Sequence, residues 1–210
     1  MIITGCSDTL NLDNKYSYYR SSKNYKFAVI EEYVSRVGKR LLIVNDNQIL
    51  NNLNIKFAIN NSEMQSLNIQ YEQNYKYKQK HVVIVSKGLL NYLQDEAELA
   101  TILAIALETI NSNDIISLNS TTSLKADSRI INNLYKAGYD PLAFVALQEE
   151  YLKDKNHTYS WLNFLFSPMN ISEPRIYANQ KKLLSIPKGL QRGKQNYLSN
   201  ICLLKPSEHH

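Results

Sequence analysis

Few side chains in this chain of 210 residues are equipped for acid–base, nucleophilic or metal chemistry, and their spacing does not assemble them. His81 and His157 are the internal histidines, since His209 and His210 resemble the remnant of a purification tag. His81 opens a strand-like run and His157 lies in a polar loop, so both read as ordinary surface or strand-end histidines rather than ligands. Glu108 and Asp127 are the carboxylates to weigh. Glu108 sits on an apolar helical run. Asp127 reads as a residue that holds a helix or pairs with Arg129 or Arg175. Ser123 has no histidine near it on its helix, and a serine nucleophile needs such a base. Two cysteines, Cys6 and Cys202, are too few for a zinc cluster.

The context of Cys6 is more informative than its chemistry. Ile3-Thr4-Gly5-Cys6 resembles the bacterial lipobox, where an aliphatic residue and two small residues precede a cysteine that becomes lipidated. Only five residues precede Cys6, so the charged and apolar parts of a signal peptide are outside this numbering. The expectation is a chain that begins at the end of a lipoprotein signal, continues as a polar tether over residues 1–23, and meets the membrane through lipid on Cys6. If Cys6 is not lipidated, a Cys6–Cys202 disulfide in an oxidising compartment is the alternative.

Composition excludes some classes. Hydrophobic residues at 44% and charged residues at 20% are globular values. No apolar run reaches the ~18 residues that a membrane span needs. The formal charge of +5 is spread as lysine through polar segments, which implies weak attraction to anionic surfaces and not a binding site. Residues 71–80, YEQNYKYKQK, alone cluster charge between aromatics, and lysine guarding an exposed hairpin or edge strand explains them better than nucleic acid does.

The elements that must position these residues follow from periodicity. Ile30, Tyr33, Val34, Val37 and Leu41 recur at helical spacing over residues 26–42. Residues 55–60 alternate as a strand, 64–77 read as strand, hairpin and strand, and 81–86 (HVVIVS) are a short β-branched strand. Residues 97–110 are apolar almost all round, which predicts a central buried helix, with Asp95 and Glu96 at its positive end. A helix over 116–137 stops at Gly138. Another over 140–151 starts with Asp140 as cap and Pro141 in the first helical position, and a further one covers 173–184. Residues 161–166 are an apolar anchor, and residues 185–210 read as a polar tail apart from 201–204.

Several of these pieces, in this order, resemble the HtpX, BepA, LoiP and Oma-type zinc metallopeptidases, family forty-eight of the metallopeptidases. VGKRL at 37–41 looks like the family's early helix, and VIVSKGLL at 83–90 resembles its strand followed by "gLL". DEAELATIL at 95–103 is similar to the run before the zinc motif H-E-x-x-H. KAGYDP at 136–141 and ISEPRI at 171–176 match later segments. The resemblance covers roughly residues 30–180 and implies an α+β, zincin-like fold over 24–184, mainly helical with a small, mostly antiparallel sheet.

Every catalytic position departs from the pattern. The two zinc histidines fall on Ile105 and Thr109, the general base on Ala106, the third ligand on Ser123, and a late substrate-facing histidine on Met169. Ala126 and Asp127 of the third-ligand motif remain. Zinc catalysis needs three protein ligands and an open position for an acidified water, so no zinc cofactor is expected. Glu108 is one position off the ligand face, and 100° of helical rotation keeps it away.

The resemblance therefore implies a catalytically inactive homologue, a periplasm-facing lipoprotein of a bacterial envelope that binds a protein partner or unfolded polypeptide. Related peptidases hold extended peptides on a strand edge, which requires no metal. Gln65, Ser66, Leu67, Asn68 and Ile69 replace the family's N-A-F segment at that edge, with 71–80 as a polar insertion beside it. The alternatives are a metalloendopeptidase with an unconventional metal site and a purely structural envelope protein.

Overall fold

Ile30, Tyr33, Val34, Val37 and Leu41 fall on one face of helix α1 (Lys23–Val44), and all five are buried. The computed structural model describes residues 23–45, 50, 53–74, 77–112, 120–154, 160–187 and 190–204. The lipobox-like residues ending at Cys6, the tether up to residue 22, His157, and His209 and His210 lie outside them. Lys23, expected in the tether, begins α1.

Three strands follow: β1 (Asn54–Asn60), β2 (Leu67–Asn74) and β3 (Tyr77–Ser86), in the spatial order β1-β3-β2. β2 and β3 form an antiparallel hairpin, whereas β1 runs parallel to β3. This mixed sheet corrects the expected mostly antiparallel one. Alternation of apolar and polar residues reports which face of a strand is buried and says nothing of its direction. The described residues of 71–80 form the outer half of this hairpin, 71–74 ending β2 and 77–80 beginning β3, with a register shift between Glu72 and Asn74.

The parallel pairing depends on a crossover. After β1 the chain must pass the end of β3 to reach its other side, and residues 61–66 do this in front of helix α2 (Lys87–Tyr92). Gly88 donates its N–H to Ser62 O at 2.9 Å. A Cβ on Gly88 would lie 2.0 Å from Glu63 O, so the crossing exists because residue 88 has no side chain. Ser86 joins the same junction: its hydroxyl accepts from Leu89 N at 3.1 Å as the α2 cap and from Ser66 N at 2.8 Å.

Helix α3 (Glu96–Ser112) is enclosed by α1, α4 (Ser120–Lys136), α5 (Leu142–Lys153), α6 (Ser160–Phe166), α8 (Lys194–Ile201) and β3. Every residue from Leu99 to Leu107 is buried, as an all-round apolar helix requires. Its start is held reciprocally: Asp95 Oδ1 accepts from Glu98 N at 2.9 Å and Glu98 Oε2 from Gln94 N at 2.7 Å. α4 ends at Gly138, whose φ of 83° lets Tyr139 N–H return to Leu134 O at 2.9 Å. α5 begins one residue after Pro141, and Asp140 Oδ1 accepts from Leu142 N at 3.0 Å. The anchor expected at 161–166 is helical, and a 3-10 turn (Ser167–Met169) leads from it toward α7 (Glu173–Leu183).

The expected tail is largely not one. α8 and the 3-10 turn Cys202–Leu204 insert Tyr197, Ile201 and Leu204 into the core. Polar contacts bring them there: Arg192 pairs with Asp95 at 2.6 Å, and Ala97 N–H donates to Arg192 O at 3.1 Å. No helix among the described residues is long and apolar enough to cross a membrane.

Because the obstacle at Gly88 is backbone, Gly88→Ala should destabilise the protein by about 1–3 kcal/mol, through overpacking at the crossover. Urea unfolding would show this as a lower midpoint at unchanged slope, and an unchanged midpoint would mean the crossover can move aside.

Candidate functional site

Helix α3 carries Ile105, Ala106 and Thr109 on the last turns of the enclosed segment. Ile105 is 2% exposed and Ala106 is fully buried. The Thr109 hydroxyl donates back to Ile105 O at 2.9 Å, a bond internal to the helix. Met169, on the 3-10 turn after α6, is also buried. Ser123 falls in the first turn of α4. Of these positions, Ile105, Ala106 and Met169 present alkyl groups and a thioether and Thr109 a hydroxyl already used, and none of these four can hold or activate a water as a metal-bound site does.

The carboxylates nearby are committed elsewhere. Glu108 Oε1 and Oε2 accept from Arg129 Nε at 3.0 and 3.1 Å, and Arg129 Nη2 closes the fork on Oε1. The hydrogen bond to Glu108 holds the Arg129 guanidinium above its ordinary range, against the opposing effect of burial. Asp127 is fully buried on α4 and receives a second fork, from Arg175 on α7, with Nε–Oδ2 2.7 Å and Nη2–Oδ1 2.6 Å. Of the two arginines suggested by sequence, Arg175 takes Asp127 and Arg129 takes Glu108.

Asn179 and Gln148 complete the Asp127 cluster and were missed by sequence reasoning. Asn179 Nδ2 donates to Asp127 Oδ2 at 2.7 Å and to Gln148 Oε1 at 3.0 Å. A usable signal existed: Asn179 lies four residues after Arg175, on the same face of α7. Lys182, further along that helix, donates to Ser128 O at 3.3 Å, and burial lowers its pKa.

A second polar centre lies at the other end of α3. Glu96 is buried and accepts from Tyr33 at 2.9 Å, from Tyr139 at 3.0 Å and from Asn196, with Arg40 at 3.9 Å. Burial, reinforced by the charge of Glu96, pushes the Tyr33 and Tyr139 hydroxyls above the ordinary tyrosine range, so both stay neutral donors. Burial also raises Glu98, against the Gln94 amide and Arg192. Gly193, with φ of 65°, packs against the Glu96 side chain, where a Cβ would come within 2.8 Å. This centre pins α1, α8 and the α4–α5 turn to α3. Its carboxylate is fully occupied by these donors, which is the arrangement of a structural clasp rather than a reactive group.

His81 is half-buried on β3, with its ring 5.2 Å from that of Tyr71 across the hairpin. Burial lowers its pKa, which keeps the imidazole neutral. No group of three His, Cys, Asp or Glu residues placed to hold a metal occurs among the described residues.

The strand edge named by sequence has a definite geometry. Ser86 N–H donates to Ser66 O at 3.0 Å, so Ser66 and, by alternation, Asn68 and Gln70 turn their backbone groups toward β3. Leu67, Ile69 and Tyr71 turn theirs away. Among the described residues β2 has a sheet neighbour on one side only, so its outer side is a sheet edge. Gln65 and Ser66 precede the strand as its half-buried approach.

Neither a family model nor a curated protein matches this sequence.

Two outcomes follow from the burial. Ile105→His, Ala106→Glu and Thr109→His made together should lower the melting temperature without zinc, by the equivalent of about 3 kcal/mol or more, because unpaired polar groups enter a packed helix. Equal or higher stability by calorimetry would contradict the enclosure described. Asp127→Ala should cost about 3–5 kcal/mol by leaving the Arg175 charge buried, and Asp127→Leu with Arg175→Met should recover most of that loss. A double variant as unstable as the single one, in chemical denaturation, would show that the ion pair is not what the site requires.

Proposed function

We propose that this protein is a catalytically inactive homologue of the HtpX, BepA, LoiP and Oma-type zinc metallopeptidases, with a zincin-like fold, that binds an extended segment of a protein partner. Its setting in this reading is the periplasmic side of a bacterial envelope, an oxidising compartment that suits the disulfide on Cys202. The observation that carries it is the pairing of a strand edge that has no sheet neighbour among the described residues with a helix whose motif positions are Ile105, Ala106 and Thr109. At β2, the backbone groups of Leu67, Ile69 and Tyr71 face outward and can accept another strand. At α3, Ile105 and Ala106 offer no lone pair and no base. The first property supports capture and the second is incompatible with hydrolysis by the motif's own mechanism.

Strand addition is carried by main-chain hydrogen bonds, with alternate side chains setting preference. The β2 edge would present Leu67 and Ile69 toward the core face and Asn68 and Gln70 toward the other, so a bound segment would meet an apolar side and an amide side.

The test exploits the direction of one N–H. Because Ile69 turns its amide away from β3, proline there leaves the hairpin ladder intact and removes a donor from the outer edge. Labelled unfolded casein should bind without being cleaved. Ile69→Pro should weaken that binding by at least about tenfold, the loss expected from a blocked edge, while the melting temperature stays within a few degrees. Chelator-sensitive cleavage, or binding indifferent to the substitution, would overturn the proposal.

A further inference from the structure

β1 is the other edge of the sheet, and α1 runs beside it in the opposite direction: Gly38 sits on the Phe57 ring, and Glu31 lies against Ile59. Glu31 Oε2 accepts the Ile59 N–H at 3.2 Å, which fixes the alternation of the strand. Ile59, Phe57 and Ile55 turn their backbone groups away from β3, while Lys56 and Ala58 turn theirs toward it. Toward Ile55, helix and strand enclose an open groove of about 1030 Å³. At its Ile59 end, a carboxylate of the chain itself already occupies the place of a strand acceptor.

The groove is charged unevenly. Five basic residues line it against two acidic ones, and both acidic residues, Glu31 and Glu32, lie at the Ile59 end. Lys39 and Lys56 are exposed toward the Ile55 end, and neither forms an ion pair with another described residue. Ile43, 83% exposed, adds an apolar contact at the same end. We propose that this groove is a second docking site, distinct from the β2 edge and independent of it, for an extended acidic segment of a partner protein that adds to β1 beside α1. Main-chain bonds at Ile55 and Phe57 give the pairing, and carboxylates on the segment meet Lys39 and Lys56. The chain's own residues 1–22 are poorer occupants on charge, since Asp8 and Asp13 are balanced by Lys15 and Arg20.

The probe is a fluorescein-labelled peptide alternating glutamate with valine, measured by anisotropy on the full chain at low salt, beside its lysine–valine counterpart. The glutamate peptide should bind and the lysine peptide should not. Lys39→Glu with Lys56→Glu should weaken binding roughly tenfold, since both positions are solvated and attraction becomes repulsion. Ile55→Pro, which removes an outward N–H, should abolish binding, and Ile69→Pro on β2 should leave it unchanged. Equal binding of the two peptides, no binding at millimolar peptide, or loss with Ile69→Pro but not Ile55→Pro would each overturn the proposal. So would binding that emerges only when residues 1–22 are deleted, or self-association that the peptide competes away, since these assign the groove to the chain's own arm or to a second copy.

Discussion

The enclosure of α3 is the constraint on which the rest of the structure depends. A helix with apolar residues on every side has no face to give to water, so other elements must cover its full circumference. Six elements do so, and four of its positions are alanines that let neighbours come close: Ala97, Ala100, Ala104 and Ala106. Elements such as α8, far away in the chain, are bound into the fold by this demand, which is why a segment that reads as a tail supplies Tyr197 and Ile201 to the core.

Enclosure gives cohesion without direction, and the polar centres at the two ends supply the direction. Dispersion and hydrophobic burial tolerate a helix rotated or slid by a turn far better than a forked ion pair does. Glu96 fixes one end through donors from α1, α8 and the α4–α5 turn. At the other, Glu108 and Asp127 each receive an arginine fork, from α4 and α7 respectively. These carboxylates set register in the helical layer, and being saturated by donors they are withdrawn from acid–base chemistry.

Helices were legible in the sequence because burial on one face or all faces leaves a period that survives in one dimension. The five apolar positions of α1, the Gly138 stop and the solid apolar run of α3 are such local signals. Strand direction was not legible, since parallel β1 and antiparallel β2 carry the same alternation, and the difference rests on Gly88 letting a crossover pass. The tail was misread for a related reason: its packing depends on Arg192 reaching Asp95, 97 residues away, and no periodicity reports a long-range ion pair. At the candidate site, an arginine partner for Asp127 was readable, but not which of Arg129 and Arg175 it would be. Asn179, Gln148 and the donors to Glu96 were not, because each is a polar residue whose role exists only once several elements meet.

On the proposed family reading, the pattern of what is kept and what is lost has a physical explanation. A zinc ligand on α3 is stabilised by the metal, and without metal it becomes an unpaired polar group in a dry helix, so replacement by Ile105 relieves a cost. Asp127 and Arg175 are in the opposite position. Each neutralises the other inside the protein, and losing either leaves a buried charge whose cost of about 3–5 kcal/mol rivals the whole stability of an ordinary domain. Positions whose partner was the metal were free to change once catalysis no longer held them, while positions whose partner is another side chain were not. A fold signature that outlives its chemistry is therefore what packing energetics favours, and the strand edges, which need neither metal nor histidine, are where function would persist.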